Sequence, residues 1–200
     1  MFNVMLTGVG GEGVLTVGAI IAQAAHDQGF FVRGLQLHGL AQRGGTIPTF
    51  VRFGKEKDIH SPGITQADAD LILAFEPLEA ARATYFAHRK KTAFIINDWP
   101  HIPVYANLLD LPYPEISDIV KRVKPFAKEV MVFNAHKFAL EKFGVPILGN
   151  IMMLGYALGT KALPLKEESV IAAIDKLVHH KPAENLAAFK IGLEMGTGRR

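Results

Sequence analysis

The chain has 200 residues, 49% of them hydrophobic and 20% charged, and no cysteine. That length suits one compact domain with a substantial core. The missing cysteine excludes a disulfide framework, a thiolate zinc site, a cysteine nucleophile and any iron–sulfur cluster held by this chain's own thiolates. The net charge is only +3, and the densest basic cluster, His88-Arg89-Lys90-Lys91, reads as a solvated helix end or loop rather than a nucleic-acid footprint. The longest apolar stretch, Ile151 to Gly159, is too short to span a bilayer. A strand-like run opening at residue 3 reads as a fold without a signal peptide, so the expectation is a cytoplasmic protein whose apolar faces meet a partner.

Taken in chain order, Asn3 to Thr7 is an apolar run ended by glycine and predicts a buried strand. Helical spacing follows from Val14 to Ala25, with Gly29 as a natural stop. Phe30 to Leu37 predicts a second strand. Thr46 to Phe53 alternates, although Pro48 argues for an edge position or a bulge. Asp70 to Phe75 predicts a strongly buried strand, and Pro77 to Ala83 a helix with proline in its first turn. Another strand is predicted over Thr92 to Asn97. Residues 98–114 hold four prolines and read as a surface excursion, with Trp99 in an interface loop. A helix is predicted over Ile116 to Ala127, ended early by Pro125, then a strand over Glu129 to Phe133 and a helix over Ala135 to Phe143. The remainder is helical: Asn150 to Gly159, Lys166 to His179 and Ala183 to Met195.

The alternation of strand and helix predicts an α/β fold: a mostly parallel, Rossmann-like sheet with helices on both faces. Its sheet core spans 1–145 and a helical C-terminal extension 146–200, in a single domain. Met152, Met153 and Met195 fall at core-like spacings and read as packing. The eight histidines share no metal-ligand spacing, and His179-His180 reads as a helix end complementing the dipole.

Two glycine-rich elements carry the chemistry. Gly8, Gly10 and Gly13 satisfy G-x-G-x-x-G between the first strand and first helix, with Gly11 beside them. There glycine allows a tight turn and exposes helix N–H groups to an anion. A nicotinamide site also wants an acid about 20 residues further on, and residues 30–40 contain none. Glu12 adds a negative charge that opposes a pyrophosphate. The second element runs from His38 and Gly39 through Gln42, Arg43, Gly44 and Gly45. Loops leaving the carboxyl ends of strands line the crevice of an open α/β sheet, and these two are expected to leave adjacent strands. Arg43 can take a carboxylate or phosphate bidentately, or form a salt bridge within the chain or at an interface. No acid–base pair, nucleophile triad or thiamine signature is visible.

Together Gly8-x-Gly-Gly-x-Gly13, Gly39-x-x-Gln-Arg-Gly-Gly45, Val51-Arg52, Ser61-Pro62, Ala69-Asp70 and Asn150-x-Met-x-Leu-Gly155 resemble the gamma-type domain of 2-oxoacid:ferredoxin oxidoreductases over nearly the whole chain. With His38-Gly39 ahead of Gln-Arg-Gly-Gly, the likeness is greatest to the indolepyruvate branch. The resemblance implies a non-cluster-bearing subunit of a complex that decarboxylates a 2-oxo acid, transfers the acyl group to coenzyme A and reduces ferredoxin. It places thiamine diphosphate, its magnesium and the [4Fe-4S] clusters in a larger alpha subunit, with coenzyme A as co-substrate. No cofactor falls to this chain, and no catalytic residue is expected in it alone. The candidate ligand- or partner-facing residues are Gly8, Gly10, Gly11, Gly13, His38, Gln42, Arg43, Gly44, Gly45 and Arg52. A self-sufficient NAD(P)-binding oxidoreductase and a non-enzymatic scaffold of the same fold are the alternatives.

Overall fold

The computed structural model describes all residues except 11–12, 37–44, 103–108, 110 and 199–200. Six strands form one sheet: β1 (Phe2–Val9), β2 (Phe31–Gln36), β3 (Thr46–Gly54), β4 (Leu71–Ala74), β5 (Ala93–Asn97) and β6 (Glu129–Phe133). They lie in the order β2-β3-β1-β4-β5-β6. From β1 through β4 and β5 to β6 the pairing is parallel. Only β3 runs against its neighbours, pairing antiparallel with both β1 and β2. The Rossmann-like, mostly parallel sheet expected from the alternation is present.

One expectation fails. The two glycine elements do not leave adjacent strands, because β3 folds back between β1 and β2 and takes the position beside β1. Strand order is a long-range property that local periodicity does not encode. Nor does Pro48 put β3 at an edge, since the strand lies between β2 and β1. The β2 register stops at Thr49, whereas Pro48 still pairs with Thr7 of β1. Among the described residues Pro48 therefore has a ladder partner on the β1 side alone, a place that a residue without an N–H tolerates.

The strands alternate between two cores. Val4 and Leu6 of β1, Leu71 and Leu73 of β4, and Ile95 of β5 face one side. That face packs against helices α1 (Val14–Asp27), α4 (Ala135–Phe143), α5 (Gly149–Gly159), α6 (Glu167–Leu177) and α7 (Pro182–Thr197). Met5, Ile72, Ala74, Phe94 and Ile96 face the other side, against α2 (Pro77–Arg82) and α3 (Ile116–Val123). Each fully buried Leu, Ile or Phe contributes about 1.5–3 kcal/mol relative to exposure.

The α1 helix forms because Val14, Val17, Gly18, Ile20, Ile21, Ala24 and Ala25 recur on one buried face, and it ends as Gly29 turns into the left-handed region with φ 81°. Pro125 truncates α3 at Val123, and the chain tightens into a 3-10 turn over Lys124–Phe126. His179 and His180 lie beyond the end of α6, in its connection to α7.

All residues of α5 are buried, and it crosses α7 with backbone against backbone. A Cβ on Gly155 would sit 2.0 Å from the Phe189 carbonyl oxygen, and one on Gly192 would sit 1.9 Å from that of Met152. Gly159 and Gly196 continue the seam. Among the described residues no helix is long and apolar enough to cross a membrane.

Candidate functional site

Helix α1 leaves β1 toward one face and α2 leaves β4 toward the other. The crevice of an open α/β sheet forms where neighbouring strands send their chains to opposite faces, outside their carboxyl ends. Here that point lies between β1 and β4, whose ends stay joined by Phe75 N–H donating to the Thr7 carbonyl at 2.8 Å.

Gly8 belongs to β1, opposite Ile47, so the turn proper is shorter than the motif and begins at Gly10. Gly13 caps α1 in the left-handed conformation, φ 73°, and its Cα faces Asn150 and Ile147. Although β3 separates β1 from β2, the two glycine elements meet. Gly10 N–H donates to the Gly45 carbonyl at 2.9 Å. Gly11, His38, Gln42, Arg43 and Gly44 lie outside the described residues.

Arg52 lies away from this crevice, on β3 opposite Asn3 at the amino edge of β1. Its buried guanidinium donates to Asn3 Oδ1 at 2.9 Å and to the carbonyls of Ser61 and Gly63 at 2.9 and 2.8 Å. Asp68 stands 3.7 Å away, and Lys91 of the basic cluster bridges Asp68 and Asp70. The structure does not bring Arg52 together with the glycine elements.

Residues that the sequence reading passed over build the rest of the carboxyl edge. Glu76 and Glu79 of the α2 N-terminus are both buried. Glu76 accepts from Glu79 N–H at 3.0 Å as the helix cap, from the Tyr113 hydroxyl and from His101 N–H at 3.4 Å. It thus grips the proline-rich excursion at both its ends. Burial first, and then the Glu76 hydrogen bond, push the Tyr113 phenol upward, so it stays protonated. Glu79 accepts from Thr46 Oγ1 at 3.1 Å and from Arg82. Its other oxygen is buried and has no hydrogen-bond partner among the described residues. Burial raises the Glu79 carboxyl despite Arg82 and Thr46. An unfilled buried acceptor costs about 1–3 kcal/mol, so Glu79 is an expensive choice for stability alone.

Asn97 ends β5 and organises the next stretch of edge. Its amide nitrogen lies 3.1 Å from the Phe75 carbonyl and 2.6 Å from His136 Nδ1, and its oxygen accepts from Ala135 N–H at 3.0 Å. That bond makes Nδ1 an acceptor and puts the imidazole proton on Nε2. Burial lowers the His136 pKa to about 4, so the ring is neutral at ordinary pH. Trp99 stacks on it, with centroids 5.9 Å apart at 22°.

This edge has no donor set for the redox groups implied by the resemblance. The sequence has no thiolate, and among the described residues no three His, Asp or Glu side chains converge on a cation. The edge also departs from a dinucleotide fold, since antiparallel β3 occupies the place beside β1 of the strand that normally presents the ribose-binding acid.

Residues 3–195 match the family described as pyruvate ferredoxin/flavodoxin oxidoreductase. The chain belongs to this family. It is 37% identical to the indolepyruvate oxidoreductase subunit IorB of Methanothermobacter thermautotrophicus, over 96% of this chain and 95% of that one. It is 34% identical to the subunit of the same name from Thermococcus kodakarensis, over 96% and 95%. The keto/oxoacid ferredoxin oxidoreductase gamma subunit of Geobacter sulfurreducens has the same fold, with a TM-score of 0.70, 19% identity and 99% coverage of both chains. The fold also recurs, with a TM-score of 0.72 and 18% identity, in the 2-oxoglutarate:ferredoxin oxidoreductase of Magnetococcus marinus, solved with 2-oxoglutarate, coenzyme A and succinyl-CoA bound. There 98% of this chain matches 31% of the other.

The family resemblance seen in the glycine elements is thus borne out over almost the full length. The fold accounts for several residues that carried it. Ser61 lies in the loop fastened by Arg52, and Asp70 accepts from the Asn3 N–H at 2.7 Å. Gly155 is a contact of the α5–α7 seam.

Proposed function

We propose that this chain is the non-cluster-bearing subunit of a 2-oxoacid:ferredoxin oxidoreductase acting on aryl-pyruvates, with indolepyruvate the leading substrate. A larger alpha subunit supplies thiamine diphosphate, magnesium and the [4Fe-4S] clusters. In the reaction the bond from the carboxylate to the carbonyl carbon breaks and carbon dioxide leaves. The former carbonyl carbon loses an electron pair, which passes one electron at a time to ferredoxin, and the coenzyme A thiolate takes up the resulting acyl group. This chain provides no redox centre. Its carboxyl edge borders the partner's active site and shapes the approach of coenzyme A or the 2-oxo acid, with His38, Gln42 and Arg43 as the side chains that make contact.

The observation that carries this reading is the Gly10–Gly45 junction in a chain similar to IorB subunits over its full length. It ties the first glycine element to the second beside the end of β1 and the start of α1, where backbone N–H groups can meet an anionic substrate.

The test is reconstitution. The isolated chain should be colourless and inactive, and co-expression with a cluster-bearing alpha subunit should yield a brown complex reducing ferredoxin with indolepyruvate and coenzyme A. In that complex Arg43→Ala should raise KM for one substrate about tenfold, the loss of a charge-assisted hydrogen bond. Unchanged kinetics for both substrates would overturn the site, and tight NAD(P) binding by the isolated chain would overturn the function.

A further inference from the structure

The helix α2 does more than cover one sheet face. Its two buried carboxylates hold the chain segments that border the crevice: Glu76 holds the excursion at His101 and Tyr113, and Glu79 holds Thr46. Thr46 is the first residue of β3 and directly follows Gly45, whose carbonyl receives Gly10 N–H. The Thr46 hydroxyl donates to Glu79 and lies 3.4 Å from the Arg82 guanidinium. A continuous path of hydrogen bonds and one peptide link therefore runs from α2 through Thr46 and Gly45 to the turn before α1.

From this geometry we infer that Glu79 is a positioning residue, whose hydrogen bond from Thr46 sets the junction of the two glycine elements and so the shape of the substrate-facing edge. Three observations support it. The carboxylate is buried and one of its oxygens is unfilled, an arrangement that stability does not favour. Thr46 is itself exposed, so packing does not fix it and the hydroxyl bond is its anchor on the α2 side. Finally, among the described residues the β2 register reaches no further than Thr49, so the ladder that ties Thr46 is the one with Val9 of β1, and the Glu79 bond is its tie toward α2. The inference rests on the proposed function for its kinetic consequence but not for its structural one.

Two measurements keep these apart. In the isolated full chain, Thr46→Val and Glu79→Met remove the hydroxyl donor and the carboxylate acceptor with little change of volume. Both should speed hydrogen exchange of the Gly10 amide about tenfold, the loss of one hydrogen bond's worth of protection, while β4 and β5 amides stay as in the parent. Thr46→Ser and Glu79→Gln keep an O–H···O bond and should restore parental exchange. Unchanged Gly10 exchange in Thr46→Val overturns the inference, even if Glu79→Met fails to fold.

In the reconstituted complex, Thr46→Val should raise KM for coenzyme A or the 2-oxo acid about fivefold with kcat within about twofold, as expected when a binding edge is misplaced but the chemistry is elsewhere. If Arg43→Ala shifts KM and Thr46→Val does not, the inference falls and the function stands. If neither shifts it, the substrate-facing site falls, and the exchange result alone decides whether Glu79 positions the junction.

Discussion

The two edges of the sheet use similar polar residues to opposite ends. At the amino edge Arg52, Asn3, Asp68, Asp70 and Lys91 form a closed knot in which the guanidinium finds carbonyl, amide and carboxylate acceptors on every side. At the carboxyl edge Glu79 keeps an unfilled oxygen, and His136 is buried without a counter-charge and pushed down by desolvation. A saturated cluster is what stability selects. A cluster with unfilled capacity persists where something else requires it, and the unfilled oxygen of Glu79 stands one residue from where the glycine elements meet.

Breaking the amino edge should therefore cost the most. Arg52→Ala strands Asn3 Oδ1 and the loop carbonyls of Ser61 and Gly63, and a loss of about 3–5 kcal/mol is expected, measured as the denaturation midpoint in urea. Arg52→Lys should recover only part, because an ammonium cannot reproduce the fork.

The next effect belongs to pH. Burial brings His136 down to about 4 when folded, against 6.5 for a free imidazole. Between those values the unfolded chain binds a proton that the folded chain refuses. Stability should therefore fall as pH drops from 6.5 to 4 and level off below, by on the order of 3 kcal/mol. His136→Gln should flatten that slope in thermal melts taken across the interval.

Smaller still is Gly13→Ala. A left-handed φ of 73° and a Cβ placed 3.1 Å from Asn150 Nδ2 should cost about 1–2 kcal/mol, together with a larger proportional loss of activity in the complex. At the bottom of the scale, Glu79→Gln should leave stability within about 1 kcal/mol. A cost as large as that of Arg52→Ala would erase the contrast between the two edges.

Much of the fold was legible because it is local. Helix α1 announces itself by its apolar spacing and Gly29, and β4 by an unbroken apolar run. What the periodicity could not reveal was that β3 would slip between β1 and β2. Its alternating residues fit either edge of the sheet, and the choice is made by contacts with residues over 40 positions away, such as Arg52 with Asn3.

The site was half legible. Glycines are visible because their spacing is itself the signal. Glu76 and Glu79 were readable in principle, since an acid before Pro77 and another three residues on form a helix-start pattern. Nothing local, however, says that they also hold His101, Tyr113 and Thr46. His136 was passed over because its partners, Asn97 and Trp99, lie on a different strand end and share no spacing with it.

The glycine seam between α5 and α7 bears on how the chain is made. Helix α5 is buried on every side, and the side lined by Gly155 and Gly159 is covered by residues 182–197. During synthesis the sheet strands, α1 and α5 all leave the ribosome before that cover exists. Until α7 emerges, a broad greasy surface faces the cytosol of whatever cell makes it, a window in which chaperone capture or premature aggregation competes with completion of the fold.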